Sequence, residues 1–209
     1  MKIKHMMESI STSGNLEVRS GYKRTRLGWI PKNWLVQSLG EILDFKNGVN
    51  AEKESYGKGK KFINVMEVIK YNVITDSNIP GMVILSDSAF RQNQVKSGDI
   101  LFNRTSETND EIGITALYLG DEDVVFGGFV IRGRPKNAVL TNDFKKYGFS
   151  TSIVRKQIIS KGQGAVRTNI GQKDLEKVYL AIPSKNEQQK IATVLSTWDK
   201  AIENLDLAH

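Results

Sequence analysis

The chain has 209 residues, a formal net charge of +7 at neutral pH and no cysteine. This length can bury the core of one domain with an appendage, or of two small domains, and the missing thiols exclude disulfides, zinc–thiolate sites and cysteine nucleophiles. No apolar run approaches the roughly 20 residues that span a bilayer, and the N-terminus has no signal-peptide core, so we expect a cytoplasmic protein.

The N-terminal region divides into an arm and the start of a domain. Residues 1–27 show no apolar periodicity and mix serine, glycine, lysine and arginine, which predicts an extended or loosely attached arm. A domain is predicted to start at residue 28, where GWIPKNW supplies two tryptophans and an isoleucine for packing. Ser38 can then cap a short helix through LGEIL.

From residue 61 the pattern changes to short, apolar, β-branched runs separated by glycine, asparagine and aspartate. The runs are KFINVMEVI, NIPGMVIL, GDILFNR, GITALYL and DVVFGGFVIRGR. Their spacing predicts a curved, mostly antiparallel β-sheet with long loops. Gly127 and Gly128 inside the last run predict a bulge or bend.

Helical spacing returns over residues 142–160, with one apolar side and one side of lysines and arginines. VYLAIP then predicts a strand that ends at Pro183. Ser184 and Glu187 form the S-x-x-E pattern of a capping box, which predicts the start of a helix. We therefore expect an α+β fold in which helices flank the curved sheet and a long helix follows at the C-terminus.

The last helix carries the clearest periodic signal. Apolar residues spaced by four and three form a heptad seam that consists of Ile191, Leu195, Trp198, Ile202 and Leu205. We expect this seam to be a coiled-coil interface, with another chain in preference to the N-terminal part of this one. The alternative is an ordinary amphipathic helix packed on its own domain, because two heptads are fewer than the three or four that define a coiled coil.

Positive charge is concentrated in one part of the chain. Residues 145–167 contain six lysines and arginines and no acid, whereas residues 105–123 contain six acids and no base. Such separation is typical of a protein with one face for phosphates. Nucleic acid is the leading candidate for the partner and an anionic membrane surface the lesser one, while an ordinary solvated surface is the alternative.

Few features are typical of an enzyme active site. The two histidines, His5 and His209, lie at the ends of the chain, so we expect no imidazole base within the fold. All four prolines are isolated, so the paired-proline motif of amino methyltransferases is missing. The glycine pairs at 57–59 and 162–164 are too short for a nucleotide-binding loop.

One arrangement has the residue order of a metal-dependent nuclease. Asp121 and Asp123 precede Asp143 and Lys145, and two carboxylates with a lysine could surround Mg²⁺. The spacing is loose, and Asp143 is also explained as a first-turn residue near the positive end of a helix dipole. An autonomous Mg²⁺-dependent nuclease therefore stays an alternative to a chain without catalytic residues, metal or cofactor.

Three segments carry a resemblance to a known family. They are GWIPKNWLVQSLGEI, GDILFNRTSETNDEIGITALYLG and GQGAVRTNIGQKDLEKVYLAIPSKNEQQKIATVLSTWDKAI, of which the last is the most specific. The three segments occur in the same order as in one known family. Residues 28–205 thus resemble the specificity subunit of type I restriction-modification systems. The resemblance implies a target recognition domain at 28–183 and a conserved spacer helix at 184–209, after the arm at 1–27.

The resemblance implies a non-catalytic subunit that binds double-stranded DNA and selects the target for partner methyltransferase and restriction subunits, with no membrane partner. Family members usually carry two recognition domains and two spacer helices, whereas this chain has one of each. We therefore expect a half-length subunit or a fragment, and two copies could form a homodimer through the seam. A coiled-coil adaptor that binds no DNA is the second alternative.

Two polar loops are the main candidates for contact with DNA. In SKGQGAVRTN the glycines could let the backbone approach a phosphate, Arg167 could bind a phosphate or a guanine, and Gln163 and Asn169 match an adenine edge. A plain connecting loop is the alternative, with Thr168 or Asn169 capping a short turn. In FNRTSETND, Arg104 could contact DNA or pair with the acids that follow it.

Other basic residues complete the candidate set. Arg132 and Arg134 alternate along one predicted strand and should reach the same surface, whereas Lys60 and Lys61 are expected to supply general attraction. The full set of candidate DNA-binding residues is Lys60, Lys61, Asn103, Arg104, Thr105, Ser106, Arg132, Arg134, Lys161, Gln163, Arg167, Thr168 and Asn169.

Overall fold

A computed structural model describes residues 20–164 and 167–206. Its strands are β1 (Tyr22–Thr25), β2 (Gly28–Pro31), β3 (Leu35–Ser38), β4 (Leu43–Asn47), β5 (Tyr56–Ile63), β6 (Val73–Ile74), β7 (Met82–Val83), β8 (Ile100–Asn103), β9 (Thr105–Ser106), β10 (Thr115–Tyr118), β11 (Val124–Phe126), β12 (Val130–Pro135), β13 (Thr168–Asn169) and β14 (Tyr179–Ile182). Its helices are α1 (Leu39–Ile42), α2 (Val65–Lys70), α3 (Asp87–Asn93), α4 (Asn142–Gly148), α5 (Ser152–Ile159), α6 (Gln172–Glu176) and α7 (Lys185–Asp206).

The chain forms two compact units, of which the first ends at Asn33 and the second begins at Trp34. In the first unit, β1 and β2 form an antiparallel hairpin whose turn brings Thr25 opposite Gly28. The Thr25 hydroxyl donates a hydrogen bond to the Gly28 carbonyl at 3.0 Å. Most of the arm predicted at 1–27 lies outside the described residues, and the predicted boundary at 28 falls within this hairpin.

The second unit is built from antiparallel-rich sheets. The largest has the strand order β4-β12-β8-β10-β6, and only the β10–β6 pairing in it is parallel. A three-stranded sheet has the order β11-β5-β7, and two short antiparallel pairs join β13 to β9 and β14 to β3. The predicted α+β class, with mostly antiparallel strands, flanking helices and a long terminal helix, is confirmed.

Two large buried clusters hold most of the sheets and helices together, and a third, of Phe62, Val83 and Val125, joins β5, β7 and β11. The larger packs the main sheet against α4, α5 and α6, and in it the ring of Phe102 meets those of Phe45 and Phe149 edge-on at 5.7 and 5.8 Å. The smaller lies between α2, β10 and β11 and includes Val68 and Tyr118. Burial of this apolar surface is the main favourable contribution to folding.

Two predictions about local structure are wrong. KFINVMEVI is not one strand, because β5 ends at Ile63 and α2 begins after Asn64, whose backbone N–H donates to the Glu67 carboxylate at 2.7 Å. Residues 142–160 are not one helix, because α4 ends at Gly148 and the hydroxyl of Thr151 donates to its carbonyl at 3.2 Å. In both places a polar side chain satisfies backbone groups that a continuous element would have paired internally.

The predicted helix cap at Ser38 and the predicted capping box at Ser184 both form. Ser38 precedes α1, and its backbone N–H donates to the Glu41 carboxylate at 2.6 Å. At the start of α7 the Ser184 hydroxyl donates to the Glu187 carboxylate, also at 2.6 Å. In the described residues no helix is long and apolar enough to cross a membrane.

Gln188 attaches the first turns of α7 to the rest of the second unit. Its side chain is completely buried. The amide N–H groups donate to the carbonyls of Val139 and Pro183 at 2.9 and 3.0 Å, and the amide oxygen accepts from the Thr141 N–H at 2.8 Å. One side chain thus satisfies three backbone groups on two segments, which makes the helix origin rigid.

Further along α7, a polar contact continues the attachment. Asp199 accepts hydrogen bonds from the Lys146 ammonium at 2.7 Å and from the Tyr147 hydroxyl at 2.8 Å. The bond from Lys146 lowers the pKa of the Asp199 carboxyl from its ordinary 3.8, and the bond from Tyr147 acts in the same direction, although burial opposes them. Above the ordinary pKa this contact therefore stabilises the fold.

We predict that Gln188→Glu lowers the free energy of unfolding by about 3 kcal/mol, because a carboxylate can donate to neither carbonyl and would be buried beside both. Urea unfolding measures the loss. The matched control is Gln189→Glu, which makes the same chemical change at the next, exposed position and should shift stability by less than about 0.5 kcal/mol. Equal losses in the two variants would contradict the anchoring role of Gln188.

We predict that Asp199→Asn lowers the free energy of unfolding by an amount that depends on pH. The folded pKa is depressed, so the stabilisation is present above pH 3.8 and is lost as the pH falls through the folded pKa. Urea unfolding at pH 7 should show a cost of about 0.5–1 kcal/mol, and this difference from wild type should shrink at pH 3. Glu203→Gln on the same helix is the control, and a cost for Asp199→Asn that does not vary with pH would contradict the assignment.

Candidate nucleic-acid interface

The two polar loops singled out from the sequence meet in the structure. Strand β9 pairs with β13, so that Thr105 lies opposite Asn169 and Ser106 opposite Thr168. The Thr105 hydroxyl donates to the Asn169 side-chain oxygen at 2.7 Å across 64 positions of sequence. We call residues 103–111 together with 160–164 and 167–170 the paired loops. Their pairing joins two separate polar segments into one surface.

The glycines of the second loop allow it to fold back on itself. Gly164 has φ of +126°, and a Cβ added there would lie 2.0 Å from the Arg167 carbonyl oxygen. This fold brings Gln163 opposite Asn169, and their backbones exchange hydrogen bonds of 2.9 and 2.8 Å. Opposed residues of an antiparallel pair place their side chains on one face, so the two exposed amides are neighbours. The expected approach of this backbone to a phosphate stays a prediction.

Two acidic side chains of the first paired loop have partners within the protein. The Arg167 guanidinium lies 3.1 Å from the Glu107 carboxylate, and both side chains are largely exposed. The Glu111 carboxylate accepts from the Ser106 hydroxyl at 2.9 Å. Exposed ion pairs contribute about 0–1 kcal/mol, so Arg167 can exchange Glu107 for a phosphate at little cost.

Several candidate side chains shape the loops from within. Asn103 is fully buried, donates to the Glu111 carbonyl at 2.9 Å and accepts from the Thr105 N–H at 3.2 Å. Ser106 and Thr168 are also buried, and the Thr168 hydroxyl bonds the Asn109 side chain. These groups position the loop instead of facing solvent.

Arg104 joins the paired loops to a neighbouring turn. Its guanidinium donates to the Gly128 carbonyl at 3.1 Å, and its backbone N–H donates to the Phe129 carbonyl at 2.9 Å. Among the described ion pairs, none joins Arg104 to the acids that follow it, and Glu107 is paired with Arg167 instead. Arg104 is thus a structural link between two surface segments, by a contact that the sequence did not indicate.

Arg132 and Arg134 share one face of β12, as expected, but on that face both side chains bind other groups of the protein. The Arg134 guanidinium holds the buried Asp99 carboxylate at 3.0 and 2.7 Å, and both arginines donate to the Gln94 carbonyl. Burial lowers the pKa of the Arg132 guanidinium, which is almost inaccessible. Since a buried carboxylate needs such partners, we leave the two arginines out of the proposed interface.

The lysine candidates differ in their surroundings. Lys60 pairs with Asp123, and the Lys61 ammonium lies 3.3 Å from the Glu122 carboxylate. These neighbours reduce the positive potential around β5. Lys161 is half-buried in the second paired loop, shortly after the end of α5.

The residues of the nuclease-like arrangement are distributed over the fold. Asp123 pairs with Lys60, while Asp143 is exposed on α4. The Lys145 ammonium is buried, donates to the Gly98 carbonyl at 2.9 Å and has a pKa lowered by burial. In the part of the chain that the structure describes, no group of three or more acids or histidines could hold a metal ion.

Phe129 is a surface residue that sequence reasoning missed. Its side chain is 57% exposed at the turn between β11 and β12. It lines a depression together with Val65, Thr105, Ser106, Glu107 and Arg167. The signal available in the sequence was FGGF, in which two glycines mark a bend and a large aromatic residue follows. The run was interpreted there only as a bent strand.

The comparison with protein families identifies the family to which the chain belongs. The model for the type I restriction modification DNA specificity domain matches residues 31–208. The chain belongs to this family. The resemblance given by GWIPKNW, GDILFNR and the EQQ-containing helix is therefore confirmed.

Relatives of this specificity domain are about twice its length. The type I restriction enzyme MjaIX specificity subunit of Methanocaldococcus jannaschii is 28% identical over 189 residues, which is 88% of this chain and 42% of the relative. The HsdS subunit from Thermoanaerobacter tengcongensis has a similar fold, with a TM-score of 0.64 and 18% identity over 90% of this chain and 42% of that one. A structure solved for complex assembly of the type I R-M system gives a TM-score of 0.65 at 20% identity, over 86% and 41% of the two chains. This chain thus spans less than half of each.

The seam of the specificity domain's long helix is largely exposed. Ile191 packs against the larger core cluster, whereas Leu195 is 37% exposed. Beyond it, exposure rises to 65% at Trp198, 55% at Ile202 and 64% at Leu205. Four of the five predicted seam residues therefore present apolar surface along one side of α7. Assignment of this stripe to a coiled coil stays a prediction.

Proposed function

We propose that this chain is a DNA-binding specificity half-subunit that directs partner methyltransferase and restriction subunits of a type I restriction-modification complex to their target. The observation that carries the proposal is the pairing of β9 with β13 in a chain of this family. It gathers polar and basic groups from two distant segments on one exposed surface, as sequence readout in a DNA groove requires. The subunit itself supplies no chemistry, and we place it in the cytoplasm, where it has access to DNA.

The paired loops suit both parts of DNA recognition. Arg167 and Lys161 can neutralise phosphates, which sets affinity and its salt dependence. Gln163 and Asn169 present neighbouring amides. The Asn169 amide accepts from Thr105 and donates to the Arg167 carbonyl, which leaves it one N–H and one lone pair. A donor beside an acceptor is the combination that the major-groove edge of adenine requires. Base contacts of this kind set the sequence, whereas phosphate contacts set the register.

The exposed seam supports pairing with a second recognition unit. A ribbon formed by Leu195, Trp198, Ile202 and Leu205 loses contact with water when another helix covers it. The chain spans less than half the length of its relatives, so a second copy could supply the other half through a two-fold symmetric contact. Two copies arranged in this way would read a symmetric, split target.

Reconstitution with a methyltransferase subunit tests the proposed function. The complex should methylate adenines within one defined sequence, which sequencing of modified bases can map. Omitting this chain should abolish the sequence preference. Methylation that is unaffected by its omission, or DNA cleavage by the purified chain alone with Mg²⁺, would contradict the proposal.

We predict that Arg167→Ala weakens binding to the mapped target. Loss of a phosphate contact should reduce the slope of log affinity against log salt concentration by about one. Loss of a base contact should remove about 1–3 kcal/mol of discrimination between the target and other sequences. Fluorescence anisotropy at several salt concentrations distinguishes these outcomes. Arg91→Ala on α3 removes the same charge outside the paired loops and is the control. Unchanged affinity and salt slope in Arg167→Ala would remove Arg167 from the interface.

We predict that Ile202→Lys separates paired chains. A buried ammonium in the middle of an apolar seam should weaken association more than tenfold, by a cost above about 1.4 kcal/mol. Sedimentation velocity over a concentration series measures this. Ala201→Lys introduces the same charge one position away from the seam and should leave association unchanged. If both variants sediment like the wild type, the seam is not the contact.

A further inference from the structure

The depression beside the paired loops has walls of two different kinds. Phe129 and Val65 form an apolar wall. Arg167 and Glu107 also line it and are paired with each other at 3.1 Å through one guanidinium nitrogen and one carboxylate oxygen. This pair leaves further N–H donors on Arg167 and a second acceptor oxygen on Glu107. Apolar, donor and acceptor groups thus surround a single space of about 210 Å³.

The backbone holds the ring of Phe129 out toward this space. The N–H groups of Gly127 and Gly128 donate to the carbonyls of Ile63 and Val49, both at 2.9 Å. Arg104 binds the turn from the other side, through the carbonyls of Gly128 and Phe129. These bonds fix the backbone at Phe129 and therefore the direction of its Cα–Cβ bond. A side chain on a fixed backbone needs less ordering when a partner binds, which reduces the entropy cost of binding.

Close packing behind the turn reinforces this arrangement. A Cβ added at Gly128 would lie 2.1 Å from the Asn50 side chain, and one added at Gly127 would lie 2.9 Å from the Phe62 ring. A larger residue at either position would require the Asn50 or the Phe62 side chain to move. The pair of glycines therefore positions the residue that follows them.

The combination of groups matches one base-pair edge in particular. In the major groove only thymine presents a methyl group, next to the O4 acceptor, while its paired adenine presents an N6 donor and the N7 acceptor. The apolar wall suits the methyl group, Arg167 can donate to O4 or N7, and Glu107 can accept from N6. A guanine–cytosine pair would leave the apolar wall facing no methyl group.

We propose that Phe129 and Val65 form a contact site for the 5-methyl group of a thymine in the target sequence, so that Phe129 is a specificity-determining residue. This inference rests on the proposed function as a DNA-recognition subunit. The depression includes Thr105, whose hydroxyl bonds Asn169, so the contact extends the reading surface beyond the residues that carry hydrogen-bonding groups.

The test removes only the methyl group. The probe is a duplex with the mapped target of the reconstituted methyltransferase complex, in which each thymine is replaced in turn by deoxyuridine. For the wild type, one replacement should lower affinity about fourfold, the effect of losing one buried methyl group at about 0.8 kcal/mol. The Phe129→Ala variant should bind the thymine duplex more weakly than the wild type does. It should bind the thymine and deoxyuridine duplexes with equal affinity.

Two variants control for the fold and for nonspecific loss of surface. Met66→Ala removes an exposed apolar side chain of α2 that does not line the depression, and it should retain the full fourfold thymine preference. Val65→Ala should reduce the preference as Phe129→Ala does. Because Phe129 is exposed, its truncation should leave the unfolding midpoint of the chain unchanged.

Two results would overturn the inference: a wild type indifferent to every thymine replacement, or a preference that Phe129→Ala retains in full. Both leave the proposed function standing, because sequence-specific methylation is measured first on unmodified DNA. Failure of that first measurement would instead contradict the proposed function itself.

Discussion

The buried amide of Gln188 determines how the long helix leaves the domain. Three backbone groups, on Val139, Thr141 and Pro183, depend on this side chain, so the first turn of α7 cannot rotate without leaving buried polar groups unpaired. The hydrogen bonds from Lys146 and Tyr147 to Asp199 hold a later turn. One side of the helix is thereby attached, and the apolar stripe from Leu195 to Leu205 stays largely exposed. A rigid helix origin is what a spacer between two recognition units needs.

The second constraint is the pairing of β9 with β13. It converts two loops into one ribbon, and Arg104 connects this ribbon to the turn before β12. In the first paired loop Glu107 is ion-paired with Arg167, and Glu111 accepts a hydrogen bond from Ser106. The surface therefore consists of exposed side chains above a layer of buried, fully hydrogen-bonded ones. Such a layer keeps reading groups in position at low entropy cost on binding.

Local signals were predictable from the sequence and nonlocal pairings were not. The Ser184–Glu187 capping box and the long helix that follows it depend on residues within one or two helical turns, and both form. The strand predicted over residues 61–69 failed because Asn64 and Glu67 cap a helix more strongly than β-branched residues favour a strand. Arg132 and Arg134 were assigned to DNA because nothing along the chain indicates that Asp99 is buried against β12. Phe129 was missed because its exposure depends on turn contacts with distant residues.

We propose that the paired loops contact DNA. Hydrogen–deuterium exchange of the reconstituted complex tests this most directly. With DNA that contains the mapped target, peptides covering Arg104–Glu107 and Thr168–Ile170 should gain protection relative to DNA of unrelated sequence. The surface around Arg91 on α3 should exchange equally with both. Equal exchange of the paired loops with the two DNAs, together with target-dependent protection elsewhere in the chain, would contradict the account.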